Sequence, residues 1–249
     1  MELHQPNRSA WLADMACDSL LRHHPPQHSD RYATYAIPGS SRYSCLGTNL
    51  EAEVFGGAFG DSQETLEREY GPYDAHSIFL TVVDQQDRLP AGVLRAVHHN
   101  VETGHKTVND LHRVFGADFD RLWLDIGFPR SEKMLDVGTL AVRESYRGRT
   151  PVSGILYALL HQQALQAGVE HLVAVLDETV LGLLTALGVP FEPIAGTRPF
   201  SYMGSSKSIA CIARVADCGP GVLAKLGADN ELARLLALGD GLPEMVRLG

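Results

Sequence analysis

The sequence predicts an α/β fold on a mixed, mostly antiparallel sheet with helices on both faces. Two observations carry this. Ser77–Asp84 (SIFLTVVD) and Pro90–Asn100 (PAGVLRAVHHN) are strand-like runs separated only by the turn Gln85–Leu89, so they pair antiparallel. Met134–Val142 (MLDVGTLAV) is apolar at both alternating sets of positions apart from Asp136 and Thr139, as expected of a central strand covered on each side. Strands and helices alternate irregularly along the chain, which favours mixed pairing over a doubly wound parallel sheet.

In chain order, residues 1–29 read as an extension. A helix-like piece around Trp11–Arg22 precedes His23-His24-Pro25-Pro26-Gln27-His28, where Pro-Pro favours a solvated linker over a metal site. Arg31–Ile37 alternates, is rich in tyrosine and is closed by Pro38-Gly39, which makes it a strand. Asn49–Tyr70 is helix-forming with breaks at Gly56-Gly57 and near Gly60, and Pro72 closes it. Val108–Leu124 is helical in pattern with a break at Gly116. After the polar loop Arg143–Thr150, Val152–Ala167 is a helix, with Ile155, Leu156, Leu159, Leu160 and Ala164 on one side. Pro151 suits its start and Gly168 its end. Val169–Asp177 is a further buried strand, and Glu178–Leu187 a short helix ended by Gly188. Phe191–Val215 reads as two closing strands around a turn at Gly204, and Gly219–Gly249 as two short Leu-rich helices. The expected organisation is an extension over 1–29, one domain over 30–216 and a helical extension over 217–249.

Composition narrows the function. The chain has 249 residues and a net charge of −9, so bulk neutralisation of nucleic-acid phosphates is excluded, although a small anionic ligand needs only a local basic patch. No apolar run approaches the roughly 18 residues of a membrane span. The start Met1-Glu-Leu-His-Gln-Pro has no signal-peptide character, and the four cysteines form no C-x-x-C pair. The expectation is a cytoplasmic protein with reduced thiols and no metal.

The chemically informative stretch is Met134–Leu160. A buried strand runs through Arg143-Glu-Ser-Tyr-Arg-Gly-Arg-Thr-Pro151 into a helix. A helix N-terminus is an anion site, Gly148 allows close backbone approach, and Arg143, Arg147 and Arg149 add three cations. A diphosphate or a phosphopantetheine phosphate fits such a loop; an ordinary basic loop is the alternative.

"LAVRESYRGR", an amphipathic helix, "VEHLVAVLD" and a short helix ending "ALGVPF" resemble the GCN5-related N-acetyltransferase (GNAT) superfamily. The resemblance implies a thioester donor lying in a V between two splayed strands, its phosphates on the loop backbone. The implied donor site is Leu140, Ala141 and Val142 on the strand, with Arg147, Gly148, Arg149, Thr150 and Val152 at the loop and helix start. Thr150 and Val152 stand where the family has small residues, and Leu184 stands where many members carry the tyrosine that protonates the leaving thiolate. Further upstream, "REYGPYD" (68–74), "GVLRAV" (92–97), "FG" (115–116) and "DVGTLAV" (136–142) are similar in order and spacing to the acyl-homoserine-lactone synthases and N-acyl amino acid synthases. That similarity covers roughly residues 50–215. It implies acyl groups taken from acyl-CoA or acyl carrier protein, with no tightly bound cofactor. It also implies a small-molecule amine as acceptor, with Arg95, Tyr73 and Asp74 at the acceptor side. Thr139 replaces that family's strand arginine.

Aminolysis of a thioester needs a proton acceptor for the amine and donors for the oxyanion. Asp136, alone among apolar neighbours, is the candidate general base; a structural pair with Arg95 is the equal alternative. Backbone N–H groups over Leu140–Val142 are candidate oxyanion donors. Arg95 is a candidate clasp for an acceptor carboxylate. His98 and His99 read as a surface strand end, and Glu178 as a helix-dipole or capping residue. Two functions from different classes follow: an N-acyltransferase, including the synthases of N-acyl signalling molecules, or a catalytically silent fold that binds an acyl thioester or a partner.

Overall fold

The computed structural model describes residues 8–28, 30–116, 133–148 and 151–248. The strands are β1 (Tyr32–Pro38), β2 (Ser77–Asp84), β3 (Leu89–His98), β4 (Met134–Val142), β5 (His171–Asp177), β6 (Glu192–Pro193), β7 (Phe200–Tyr202), β8 (Ser205–Arg214) and β9 (Met245–Arg247). The described helices are α1 (Arg8–His23), α2 (Cys45–Phe59), α3 (Gln63–Tyr70), α4 (Lys106–Phe115), α5 (Val152–Gln166), α6 (Glu178–Leu187), α7 (Val215–Leu226) and α8 (Glu231–Leu238). The sheet order is β6-β8-β5-β4-β3-β2-β1-β9, with β7 paired to β8. Neighbours are antiparallel except at β4–β5 and β1–β9. The mixed, mostly antiparallel sheet expected from the sequence is thus the observed one.

Both faces of the sheet are covered. On one, α5 buries Val152, Ile155, Leu156, Leu159, Leu160 and Ala164 against Leu80, Leu94, Leu135 and Val142. These are the positions its helical periodicity singles out, and each such side chain contributes about 1.5–3 kcal/mol when fully buried. On the other, α1 and α2 bury Cys17, Leu20, Leu46 and Leu50 against Tyr35, Ile37, Phe79 and Val93. The approach of α2 is close: a Cβ on Gly47 would run into the Phe79 ring.

Several boundaries differ from the sequence expectation. α2 runs unbroken through Gly56-Gly57 and stops at Gly60, whose φ is 73°. Burial of Leu46, Leu50 and Glu51 on its inner face outweighs the weak intrinsic penalty of two glycines. α4 ends at Phe115, and the remainder of the helix expected over 108–124 lies outside the described residues. The terminal segments read as extensions both contribute to the body of the fold. Cys17 and Leu20 of α1 are fully buried, and β9 extends the sheet alongside β1 with Leu248 in the same core. His24 packs edge-on against Tyr43 rather than into solvent. No described helix is long and apolar enough to cross a membrane.

Candidate active site

β4 and β5 pair only over Met134–Val137 and His171–Ala174; beyond that point they part. β4 remains on β3, where Arg95 faces Thr139 and Ala96 faces Val137, so Gly138 is the extra residue of a bulge. The bulge resets the alternation of the strand. Leu135 and Val137 pack on the α5 side before it, and Leu140 and Val142 after it. Asp136, Thr139 and Ala141 take the other face. Glycine is required here, since a Cβ on Gly138 would lie 2.9 Å from the Tyr70 ring. The Tyr70 hydroxyl donates to the Gly138 carbonyl at 2.7 Å.

A cavity of about 260 Å³ occupies the gap between the parted strands. Val137–Leu140 and Val175–Asp177 frame it. Phe55, Phe59, Tyr70 and Tyr202 line it from one face of the sheet, and Tyr157, Leu160, His161, Val222 and Leu236 from the other. It therefore passes through the sheet where β4 and β5 separate. Leu184 of α6 is buried in its wall, so no hydroxyl stands at the position where the family resemblance implies a tyrosine acid. Among the polar lining groups, Asp177 caps α6 by accepting from the Thr179 N–H at 2.8 Å and takes the Ser205 hydroxyl at 2.7 Å. The Ser205 bond holds it below the usual carboxylate range despite partial burial. Burial pushes the Tyr157 phenol up to about 12 and the Cys218 thiol up to about 11, the latter helped by Asp217.

Beside the cavity lies a buried charged network. Arg95 donates from Nε to Glu51 Oε1 at 2.9 Å, from Nη2 to Glu51 Oε2 at 2.6 Å and from Nη1 to Asp74 at 2.6 Å. The rings of Tyr70 and Phe79 sandwich its guanidinium. The Thr139 hydroxyl donates to Glu51. Lys106, also buried, donates to Asp110 at 2.7 Å and to the Tyr202 hydroxyl at 2.8 Å, with Nζ 4.6 Å from the Tyr70 ring centre. Tyr202 in turn donates to Asp110. Burial pushes the Tyr70 and Tyr202 phenols far above their ordinary range, so both stay protonated.

The expected site residues fall into three groups. Leu140 lines the cavity, whereas the side chains of Ala141 and Val142 belong to the two cores. Arg147 and Gly148 are exposed on the loop, with Arg147 Nε donating to the Val142 carbonyl at 2.8 Å and Gly148 at φ 67°. Val152 is wholly buried against Gly92 rather than facing a ligand. Arg149 and Thr150 lie outside the described residues. Arg143 pairs with Glu53 at 3.0 Å.

On the acceptor side, Tyr73 accepts from Asn109 at 2.9 Å and Asp74 is half exposed. Arg95 differs from the expected carboxylate clasp, because Glu51 and Asp74 occupy all three guanidinium nitrogens. Asp136 is not its partner. That carboxylate accepts the backbone N–H groups of Lys106 (3.1 Å) and Thr107 (2.8 Å), the first turn of α4, and lies 3.4 Å from His105 Nδ1. It caps a helix that precedes it by about thirty residues, which gives it a structural duty beside the catalytic one expected of it. His98 is part-buried, and the His99 ring lies 4.5 Å from that of His105, tilted by 36°. Glu178 begins α6 and pairs with Lys207, while the cap itself is Asp177.

Glu51, Lys106, Tyr70, Tyr202 and Asp177 were not anticipated. For Glu51 a signal existed: with Leu46, Gly47 and Leu50 it shares the buried stripe of α2, where a carboxylate needs a partner.

The sequence matches no protein-family model. Octanoyltransferase of Escherichia coli O139:H28 is 31% identical over 104 residues, covering 36% of this chain and 48% of that protein. The chain thus spans about half the length of the curated relatives it matches. Among solved structures, FeeM, an N-acyl amino acid synthase from uncultured soil microbes, aligns with a TM-score of 0.57 at 13% identity, over 80% of this chain and 99% of that one. BjaI, a CoA-dependent acyl-homoserine lactone synthase solved with SAM and isopentyl-CoA, gives 0.54 at 14% identity, over 88% and 94%. The AHL synthase LasI gives 0.52 at 14%, over 84% and 95%. These likenesses show a GNAT-like fold.

Proposed function

We propose that this chain, whose fold is GNAT-like, is an N-acyltransferase. It would move an acyl group from a pantetheine thioester, carried by coenzyme A or by acyl carrier protein, to the amine of a small molecule. The observation that carries this is the apolar cavity threading the gap between β4 and β5. An acyl chain needs an apolar slot, and a thioester carbonyl needs unpaired backbone N–H groups beside it. Beyond Gly138, the β4 edge that faced β5 has no strand partner among the described residues, so its N–H groups can receive the oxyanion. The first-turn N–H groups of α5 and the exposed Arg147 suit a pantetheine phosphate.

In the transfer, the amine nitrogen bonds to the thioester carbon and the oxyanion then collapses. The C–S bond breaks, and the proton lost by the amine balances the one the thiolate gains. Leu184 cannot supply that proton. Tyr70 and Tyr202, whose phenols burial keeps protonated, line the cavity on the face of the sheet that carries the charged network. The donor is a co-substrate rather than a resident group. Leu184 also favours a second reading, a silent fold that binds an acyl thioester without turnover.

The test is thiol release, together with mass-spectrometric detection of the amide. Acyl-CoA and acyl carrier protein donors are supplied with a pool of amino acids and other amines. Amide formation above the uncatalysed rate supports the transferase. Donor binding without thiol release would leave the silent binder.

A further inference from the structure

We propose that Tyr146 is a positioning residue for the donor phosphate: by bonding to Asp84 and Asp87 it ties the loop that carries Arg147 and Gly148 to the β2–β3 hairpin. The inference rests on the acyl-transfer reading above and names what holds the donor loop of that site in place.

The loop leaves β4 at Val142 and makes one tight turn over Glu144–Tyr146. The Tyr146 N–H bonds to the Arg143 carbonyl at 2.9 Å and the Arg147 N–H to the Glu144 carbonyl at 3.1 Å. This turn sends the Tyr146 side chain inward, where it is 5% exposed, and leaves Arg147 and Gly148 at the surface. The Tyr146 hydroxyl reaches Asp87 Oδ2 at 2.7 Å and Asp84 Oδ2 at 3.1 Å, so its proton is shared between two carboxylates. Arg31 Nε, 2.9 Å from Asp84, offsets their charge, and the Tyr32 ring meets that of Tyr146 edge-on. Burial and the two carboxylates keep the phenol protonated, so it stays a donor.

The hairpin is a firm support. The Asp84 side chain is fully buried at the end of β2, and its Oδ1 accepts the N–H groups of Gln86 at 2.9 Å and Asp87 at 3.1 Å. Arg88 follows at φ 56°, a left-handed conformation uncommon for a residue with a side chain, and pairs with Asp18 of α1 at 2.6 Å. The start of the loop is bonded to β3, through the Arg143 N–H to the Ala91 carbonyl at 3.0 Å and Arg143 Nε to the Pro90 carbonyl at 3.2 Å. Tyr146 fixes the middle of the loop, one residue before Arg147. A phenylalanine would fill the same space without two carboxylates beneath it, so the hydroxyl supplies direction rather than bulk. Donors to a phosphate act only when held near their productive geometry, and an anchor beside Arg147 provides that.

The experiment uses the full chain and two probes that do not react, S-octyl phosphopantetheine and S-octyl pantetheine, titrated by calorimetry. They differ only in the phosphate. The unmodified protein should bind the phosphorylated probe at least about tenfold more tightly, the usual effect of a charge-assisted contact. Tyr146→Phe should remove most of that advantage and leave affinity for the other probe unchanged. Asp87→Ala should do the same in part; its side chain is 56% exposed, so it guards against Tyr146→Phe failing to fold. The two effects should be less than additive in the double variant, because they break one bond. Equal weakening of both probes, or a phosphate advantage untouched in both variants, overturns the anchoring while leaving acyl transfer standing. Equal affinity of the unmodified protein for the two probes overturns the anchoring and the assignment of Arg147 to the phosphate. Failure of both probes to bind overturns the anchoring and the acyl-transfer reading together.

Discussion

Arg95 and Glu51 form a bidentate ion pair inside the sheet–helix interface, at 2.9 and 2.6 Å, with side chains only 3% and 1% exposed. It joins β3 to α2 and, through Thr139, to the bulged end of β4. Removing one partner leaves an uncompensated buried charge. Glu51→Gln is therefore expected to lower stability by about 3–5 kcal/mol in urea denaturation. The double variant Glu51→Leu, Arg95→Leu should recover most of that loss, because two apolar groups need no solvation. A double variant as unstable as Glu51→Gln would show that the pair matters through its shape and not its charge.

Asp136→Asn separates the two duties of that carboxylate. The substituted amide can accept only through its single oxygen, so one of the N–H groups of Lys106 and Thr107 loses its partner. A loss of about 1–3 kcal/mol is expected, with specific activity per folded molecule retained. Thermal denaturation and acyl transfer measured on one preparation decide the matter. A stable variant with turnover reduced by two or more orders of magnitude would assign Asp136 the role of general base.

Gly138→Ala places a methyl group 2.9 Å from the Tyr70 ring. Either the ring moves or the bulge flattens, and overpacking of this kind typically costs about 1–3 kcal/mol. Binding of S-alkyl pantetheine should fall more than stability does, because the bulge borders the cavity. Tyr70→Phe should cost only about 1 kcal/mol, the usual worth of its bond to the Gly138 carbonyl. Equal donor affinity in Gly138→Ala and the parent would detach the bulge from the site.

The pH dependence carries its own expectation. Burial, helped by His76, holds the His98 imidazole below the ordinary histidine range. The unfolded chain therefore takes up a proton at a higher pH than the folded one. The stability that His98 contributes is complete above about 6.5 and is lost as pH falls toward its folded value. Urea midpoints measured from pH 7.5 down to 5 should decline, and His98→Gln should flatten that decline. A parallel decline in the variant would assign it to other groups.

How much of this was legible depends on how far the deciding contacts reach along the chain. The helix 152–166, the strands 77–84 and 134–142 and the stop at Gly188 follow from periodicity and end signals, and those are local properties of the backbone. Asp136 and Arg95 could be marked from sequence as charges in apolar strands needing partners, because the penalty for burying an unpaired charge does not depend on topology. Which partners they have depends on topology alone. Arg95 meets a carboxylate 44 residues earlier, and Asp136 meets a helix start 30 residues earlier. The bulge that resets the faces of β4, the gap that opens beyond Val137 and the closure of that gap by α7–α8 all arise between elements distant in sequence. Local sequence therefore settled the longer helices and central strands and which groups must be paired, but not the short strands β6, β7 and β9. Only the tertiary structure decided the pairings and the cavity, because both are made by packing elements whose separation in the chain leaves no periodic trace.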